Sequence, residues 1–141
     1  MRKLITGVDS SGHSCIVEEA PLTFAPSGAA GVSSAVLAAT ASVPPPSRAP
    51  GRAKTNDLGV APGRVSWVVV EYEPNLEIPM HNTETIDFDI VLEGRVEVGL
   101  DDGMHLLEPG DLIVVNGVDH SWKTGPNGCK ISVMLIGTPP P

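Results

Sequence analysis

Cations are scarce in this chain. Nine Lys and Arg stand against seventeen Asp and Glu, for a net charge of −8. Binding to a phosphate backbone draws its affinity from Lys and Arg that displace counterions, so nucleic acid is not an expected partner. Cysteine is nearly absent too. Cys15 and Cys129 each sit in an apolar-patterned stretch, which suits reduced buried thiols better than a disulfide and points to a reducing compartment. No apolar run approaches the roughly 18 residues of a membrane span. Only three residues separate Met1-Arg2-Lys3 from Gly7, too few for the core of a signal peptide. A soluble, cytoplasmic protein with no membrane partner is expected. A sustained 3.6-residue apolar period is also missing, and 14 prolines and 15 glycines in 141 residues favour strands and turns over long helices.

What is present reads as short strands. Lys3 to Thr6 and His13 to Glu18 flank the turn-rich Gly7 to Gly12 and predict a hairpin. Pro21 to Gly31 reads as loop. Val32 to Val43 mixes helix-favouring alanine with strand-favouring Val36, Thr40 and Val43, and is read as a strand with loop around it; Pro44-Pro45-Pro46 ends it. Ser47 to Gly63 is a long Pro- and Gly-containing loop. Arg48, Arg52 and Lys54 lie within it and Arg64 just beyond, so it is either solvated and mobile or a lid that brings a cation over an anionic ligand. From Arg64 onward strands follow in quick succession: Arg64 to Tyr72, Ile86 to Leu92, Arg95 to Leu100, Met104 to Leu107, Leu112 to Val115, His120 to Lys123 and Lys130 to Ile136. Gly94, Asp102-Gly103, Pro109-Gly110-Asp111 and Gly125 to Gly128 read as the turns between them. This spacing predicts an all-β, antiparallel sandwich or barrel. The chain divides into residues 1–63, an N-terminal hairpin with a loop and candidate lid, and residues 64–138, a barrel core, within one domain.

The chemistry concentrates between Ile78 and Trp122. Residues two apart on a strand share a face, so His81, Thr83, Thr85, Asp87 and Asp89 point one way, and a stack of strands brings His120 opposite them. Two imidazoles and a carboxylate facing inward suit a divalent transition metal, with Fe, Mn, Ni, Cu and Zn all compatible. The plain alternation says the reverse. Phe88, Ile90 and Leu92 would fill the core, and Asp87 and Asp89 would face water.

His81, Asp87 and Gly94, followed by Pro109-Gly110-Asp111 and Gly117 to His120, resemble the two motifs of the cupin superfamily. The first family motif runs His-x-His, three or four residues, Glu, six residues, Gly; the second ends in Gly, two residues, His. The resemblance covers about Trp67 to Ile136. It implies a jelly-roll β-barrel with a pocket between its sheets. It also implies that His81, Asp87 and His120 are the metal ligands and catalytic groups. The chain departs from the family pattern at Thr83, which replaces the second histidine, and at Asp87, one methylene shorter than Glu. Thr83, Trp67, Tyr72, Asp89 and Trp122 are the expected pocket lining. Phe88, Ile90 and Leu92 would then form an outward apolar stripe that pairs two copies as a homodimer.

The function this implies is a small cupin enzyme acting on a small organic molecule, polyketide-like or carboxylated. The reaction would be of lyase or isomerase type, a dehydration, decarboxylation or enolisation, assisted by a divalent metal or run by histidine and aspartate alone. An iron-dependent dioxygenase is one alternative and a non-catalytic ligand-binding barrel another. No organic cofactor is expected.

Overall fold

The computed structural model describes all 141 residues and contains strands and no helix. The strands are β1 (Arg2–Val8), β2 (Ser14–Pro21), β3 (Ala25–Pro26), β4 (Ser33–Ser34), β5 (Lys54–Asn56), β6 (Val65–Tyr72), β7 (Glu77–Thr83), β8 (Thr85–Leu100), β9 (Gly103–Leu107), β10 (Leu112–Val115) and β11 (His120–Gly137). Nine of them form one sheet in the order β2-β1-β10-β8-β11-β7-β5, with β6 added to β11 and β9 to β8; β3 and β4 make a separate ribbon. The predicted N-terminal hairpin is β1–β2. Pairing is antiparallel throughout the sheet except at β1–β10 and β5–β7, which are parallel.

Two long strands carry this all-β fold. Sequence punctuation at Gly94 and at Gly125 to Gly128 predicts chain reversals, but both strands run straight through. Gly94 has a positive φ of 73° and bends β8 without ending it. The register of β11 against β8 shifts between Thr124 and Cys129, which absorbs Gly125 to Gly128 as a kink. A glycine-rich stretch therefore re-aims a strand here instead of closing a hairpin.

The core is a cluster of thirteen buried residues, among them Leu4, Val96, Val98, Leu107, Ile113, Trp122 and Ile131. The face of β8 that joins it is the unexpected one. Asp87 and Asp89 are 7% and 4% exposed, in line with Val91, while Leu92 is 46% exposed. The parity implied by the family motif holds and the plain alternation is inverted. Phe88 and Ile90 do face outward, but Val36–Thr40 lies across them and covers part of the stripe. The strand expected over Val32 to Val43 is correspondingly reduced to Ser33–Ser34. None of the backbone hydrogen bonds involves residues 35–41. These small side chains rest on the sheet face instead of adding to an edge.

The stretch from Ser47 to Gly63 is held down rather than loose. Its centre is edge strand β5, in register with His81, Asn82 and Thr83 of β7. Pro62 bridges to Gly137, and Gly63 N–H donates to Gly137 O at 2.9 Å.

Candidate functional site

β7 and β11 bring the two expected histidines together. His81 and His120 are direct partners in the ladder, and their rings lie 4.2 Å apart, centre to centre, tilted by 53°. Each ring is oriented by its own backbone: His81 Nδ1 lies 2.9 Å from Pro79 O and His120 Nδ1 lies 2.8 Å from Val118 O. A carbonyl can only accept, so each Nδ1 carries a proton and each Nε2 points away from the backbone bond. His120 is 2% exposed. Burial, with a second imidazole beside it, lowers its pKa to about 4, so it stays neutral where a free histidine would gain a proton. Trp122 packs edge-on to His120 at 5.7 Å, and Tyr72 lies 6.2 Å beyond Trp122.

Further along the interior stand Asp87 and Asp89. Oδ1 of each is buried without a hydrogen-bond partner. Burial raises the Asp87 carboxyl to about 7, with the Thr85 hydroxyl acting in the opposite direction. Burial, reinforced by the neighbouring Asp87, raises Asp89 well above the ordinary carboxylate range. Tyr72 is pushed upward by burial and by both aspartates, which places all three groups in one electrostatic environment. Thr83 and Thr85 are buried between the two ends and bonded to each other at 2.9 Å.

The expected metal triad is not assembled. His81 and His120 meet, but no group of three or more His, Cys, Asp or Glu side chains comes together to hold an ion. Asp87 sits opposite Val115 and Leu135, away from the His81–His120 pairing. The hydroxyl of Thr83 stands where a third imidazole would. Two free Nε2 atoms are an incomplete donor set, so these residues do not fit the metal centre that the resemblance implies. Trp67 is the second correction. It pairs with Met134, is 78% exposed on the outer face, and lines no part of the interior. Tyr72, Asp89, Trp122 and Thr83 do face inward. The most apolar cavity is likewise outside, and neither histidine lines it.

Sequence reasoning missed Asn82 and Asp119, the immediate neighbours of the two histidines. Asn82 Nδ2 donates to Asp119 Oδ1 at 2.7 Å and to Ala53 O at 2.9 Å. Asn82 Oδ1 accepts from Arg48 Nη2 at 2.9 Å and from Thr55 Oγ1 at 2.7 Å. Asp119 also accepts the N–H groups of Arg52, at 2.7 Å, and Ala53. Burial pushes the Asp119 carboxyl up, but the Asn82 amide, these two N–H groups and the Arg48 charge outweigh it and hold it below its usual range. A Cβ on Gly51 would run into Asp119 Oδ1 and Asn82 Nδ2, so glycine lets the segment approach this closely. Gly117, with φ of 63°, plays the same part beneath His120, where a Cβ would stand 2.6 Å from Thr83 O. The segment from Arg48 to Thr55 is thus latched to the two strands that carry the histidines.

The family model of the cupin domain matches residues 68–131. Residues 68–131 are thus a cupin domain. Phomopsin biosynthesis cluster protein C' of Diaporthe leptostromiformis is 38% identical over 63 residues, 44% of this chain and 33% of that protein. The cupin-domain-containing oxidoreductase fogC of Aspergillus ruber is 32% identical over 66 residues, 46% of this chain and 32% of that protein. The match thus spans about a third of the length of these curated relatives. Among solved structures, the polyketide cyclase RemF from Streptomyces resistomycificus aligns with a TM-score of 0.47 and 29% identity, over 50% of this chain and 53% of that one. No helix is long and apolar enough to cross a membrane.

Proposed function

We propose that this cupin domain transforms a small organic molecule by proton transfer inside the barrel, in a lyase or isomerase step of secondary metabolism. The observation that carries the reading is the buried, neutral His120 with its Nε2 lone pair free beside His81. A base that stays unprotonated down to about pH 4 and a carboxyl that keeps its proton up to about pH 7 are opposite partners at one pH. His120 Nε2 takes a proton from a carbon next to a carbonyl. The protonated Asp87 returns one to the enolate oxygen, or to a departing hydroxyl that leaves as water. His81 shares the transferred charge, and the Trp122 and Tyr72 rings supply apolar walls. The segment from Arg48 to Thr55 acts as the lid and lifts to admit substrate. The relatives named for biosynthesis clusters support a place in secondary metabolism, and a polyketide-like or carboxylated substrate is part of the proposal. Assembly as a homodimer belongs to the same proposal.

The test is incubation with a panel of carboxylated and polyketide-like carbonyl compounds in heavy water, followed by mass spectrometry. Deuterium uptake, or loss of water or carbon dioxide, is expected with wild type and is expected to vanish in His120→Gln. A fully active His120→Gln protein sinks the reading. The relatives named as oxidoreductases favour a redox reaction, and the second reading is therefore an iron-dependent oxygenase. Oxygen consumption that requires added iron and survives Asp87→Asn would select it.

A further inference from the structure

The outer face of the sheet holds a cavity of about 590 Å³, and 12 of its 16 lining residues are hydrophobic. Its floor is the outward row Phe88 and Ile90 of β8, with Leu112 and Val114 in register beside them. Met134 and Trp67 form one wall, and Val36–Thr40 forms the roof. The sheet itself separates it from the histidines, because Asp87 and Asp89 point to the opposite side from Phe88 and Ile90.

We propose that this cavity is a binding site for an amphipathic small molecule with an apolar body and one anionic end, distinct from the interior site. Its volume lies within the roughly 300–1,000 Å³ of small-ligand sites. Charge complementarity selects the head group. Lys3 pairs with Leu112 on this face and is the one cation of the lining, while the carboxylate of Asp89, the one acid, is turned into the barrel. Lys3 Nζ is held at the rim by Glu18 at 2.7 Å, and an ammonium has three N–H donors, so it can donate to a second, ligand carboxylate. The Trp67 ring is fixed by its Nε1–H donating to Ser132 Oγ at 2.7 Å, which gives the mouth a rigid aromatic edge. The roof has no backbone hydrogen bonds over residues 35–41, so it can shift outward around a ligand without breaking the sheet.

The experiment uses anilinonaphthalene sulfonate as a fluorescent probe on the native chain, with decanoate and decanol as competitors. Saturable one-to-one binding is expected, with energy transfer from tryptophan that falls in Trp67→Phe. Decanoate should displace the probe better than decanol, and Lys3→Gln should erase that preference, weakening decanoate roughly fivefold. Ala38→Trp, which adds bulk to the roof and leaves the sheet residues unchanged, should weaken the probe at least tenfold. The proposal is overturned if the probe does not saturate, if it binds Ala38→Trp as tightly as wild type, or if decanoate and decanol compete equally. It is also overturned if bound probe falls as the protein is concentrated and its mass doubles, because a second copy would then occupy the face.

Discussion

The two ends of the barrel interior hold polar groups of similar kind and treat them in opposite ways. At the histidine end the network is nearly complete: Asn82 uses both amide atoms, Asp119 receives three donors, each imidazole has its Nδ1 bonded, and only the Arg48 Nε is left buried without a partner. At the aspartate end, Oδ1 of Asp87 and Oδ1 of Asp89 have no partner. A satisfied network fixes geometry, and here it sets the two rings and ties the Arg48 to Thr55 segment above them. An unsatisfied buried carboxylate costs stability and retains its proton, which is a condition suited to chemistry rather than to architecture.

The largest effect expected from breaking this contrast is at the latch. Asp119→Ala should destabilise the fold by about 3 kcal/mol in urea unfolding, since it removes the acceptor of one Asn82 amide hydrogen and of two backbone N–H groups together. A loss below about 0.5 kcal/mol would mean that water replaces the latch without penalty.

The aspartate end should show itself in the pH dependence of stability. Between pH 4 and 6.5 the folded chain keeps protons on Asp87 and Asp89 that the unfolded chain has released, and lacks the one that an unfolded His120 binds. With two extra protons on the folded side and one on the unfolded side, stability falls as pH rises, by about 1.4 kcal/mol per pH unit. Asp87→Asn should flatten that slope and His120→Gln should roughly double it. A wild-type protein whose stability climbs across this window would contradict the buried, protonated state of the aspartates.

Gly51→Val tests whether the segment's close approach matters. It should push the segment off Asp119 and Asn82, cost about 1–2 kcal/mol, and raise amide hydrogen exchange at Arg52 and Ala53 while leaving the β8–β11 ladder protected. Exchange unchanged at those two amides would show that the latch tolerates a side chain. Smallest in its effect on stability, but sharpest for the site, is Thr83→His. It supplies the missing third imidazole and should create stoichiometric nickel or zinc binding in calorimetry, weak or absent in wild type. Equal metal affinity in both proteins would show that Thr83 is not the gap.

Much of the second half was legible from β-branched runs and turn dipeptides, and the two histidines from the family motif. What misled were residues whose meaning depends on context. Glycine at position 94 and at 125 and 128 signals a reversal in a short strand and a bend in a long one, and only tertiary pairing decides which. Asp87 and Asp89 look solvent-facing because their alternation with Phe88, Ile90 and Leu92 resembles a half-buried strand. The outer face turns out to be apolar too, so alternation carried no sign. Trp67 could have been placed by parity: with Val65 and Val69 it faces away from Tyr72 on the same strand. Asn82 and Asp119 left a fainter signal, as polar residues directly flanking two inward histidines and therefore aimed the other way. The partner they needed was a loop whose course could not be read locally.

The last strand, β11, pairs with β6, β7 and β8. Three strands made earlier thus wait for one made after them all. Until it emerges from the ribosome, β6 and β7 have no neighbour within the main sheet other than the short β5, and Val70, Tyr72 and Ile78, which pack against the core in the folded chain, stay in water. The domain cannot accumulate stability strand by strand as it is translated. It commits only once β11 is made, and a cell making it must shield those apolar strands from the time β6 emerges until then.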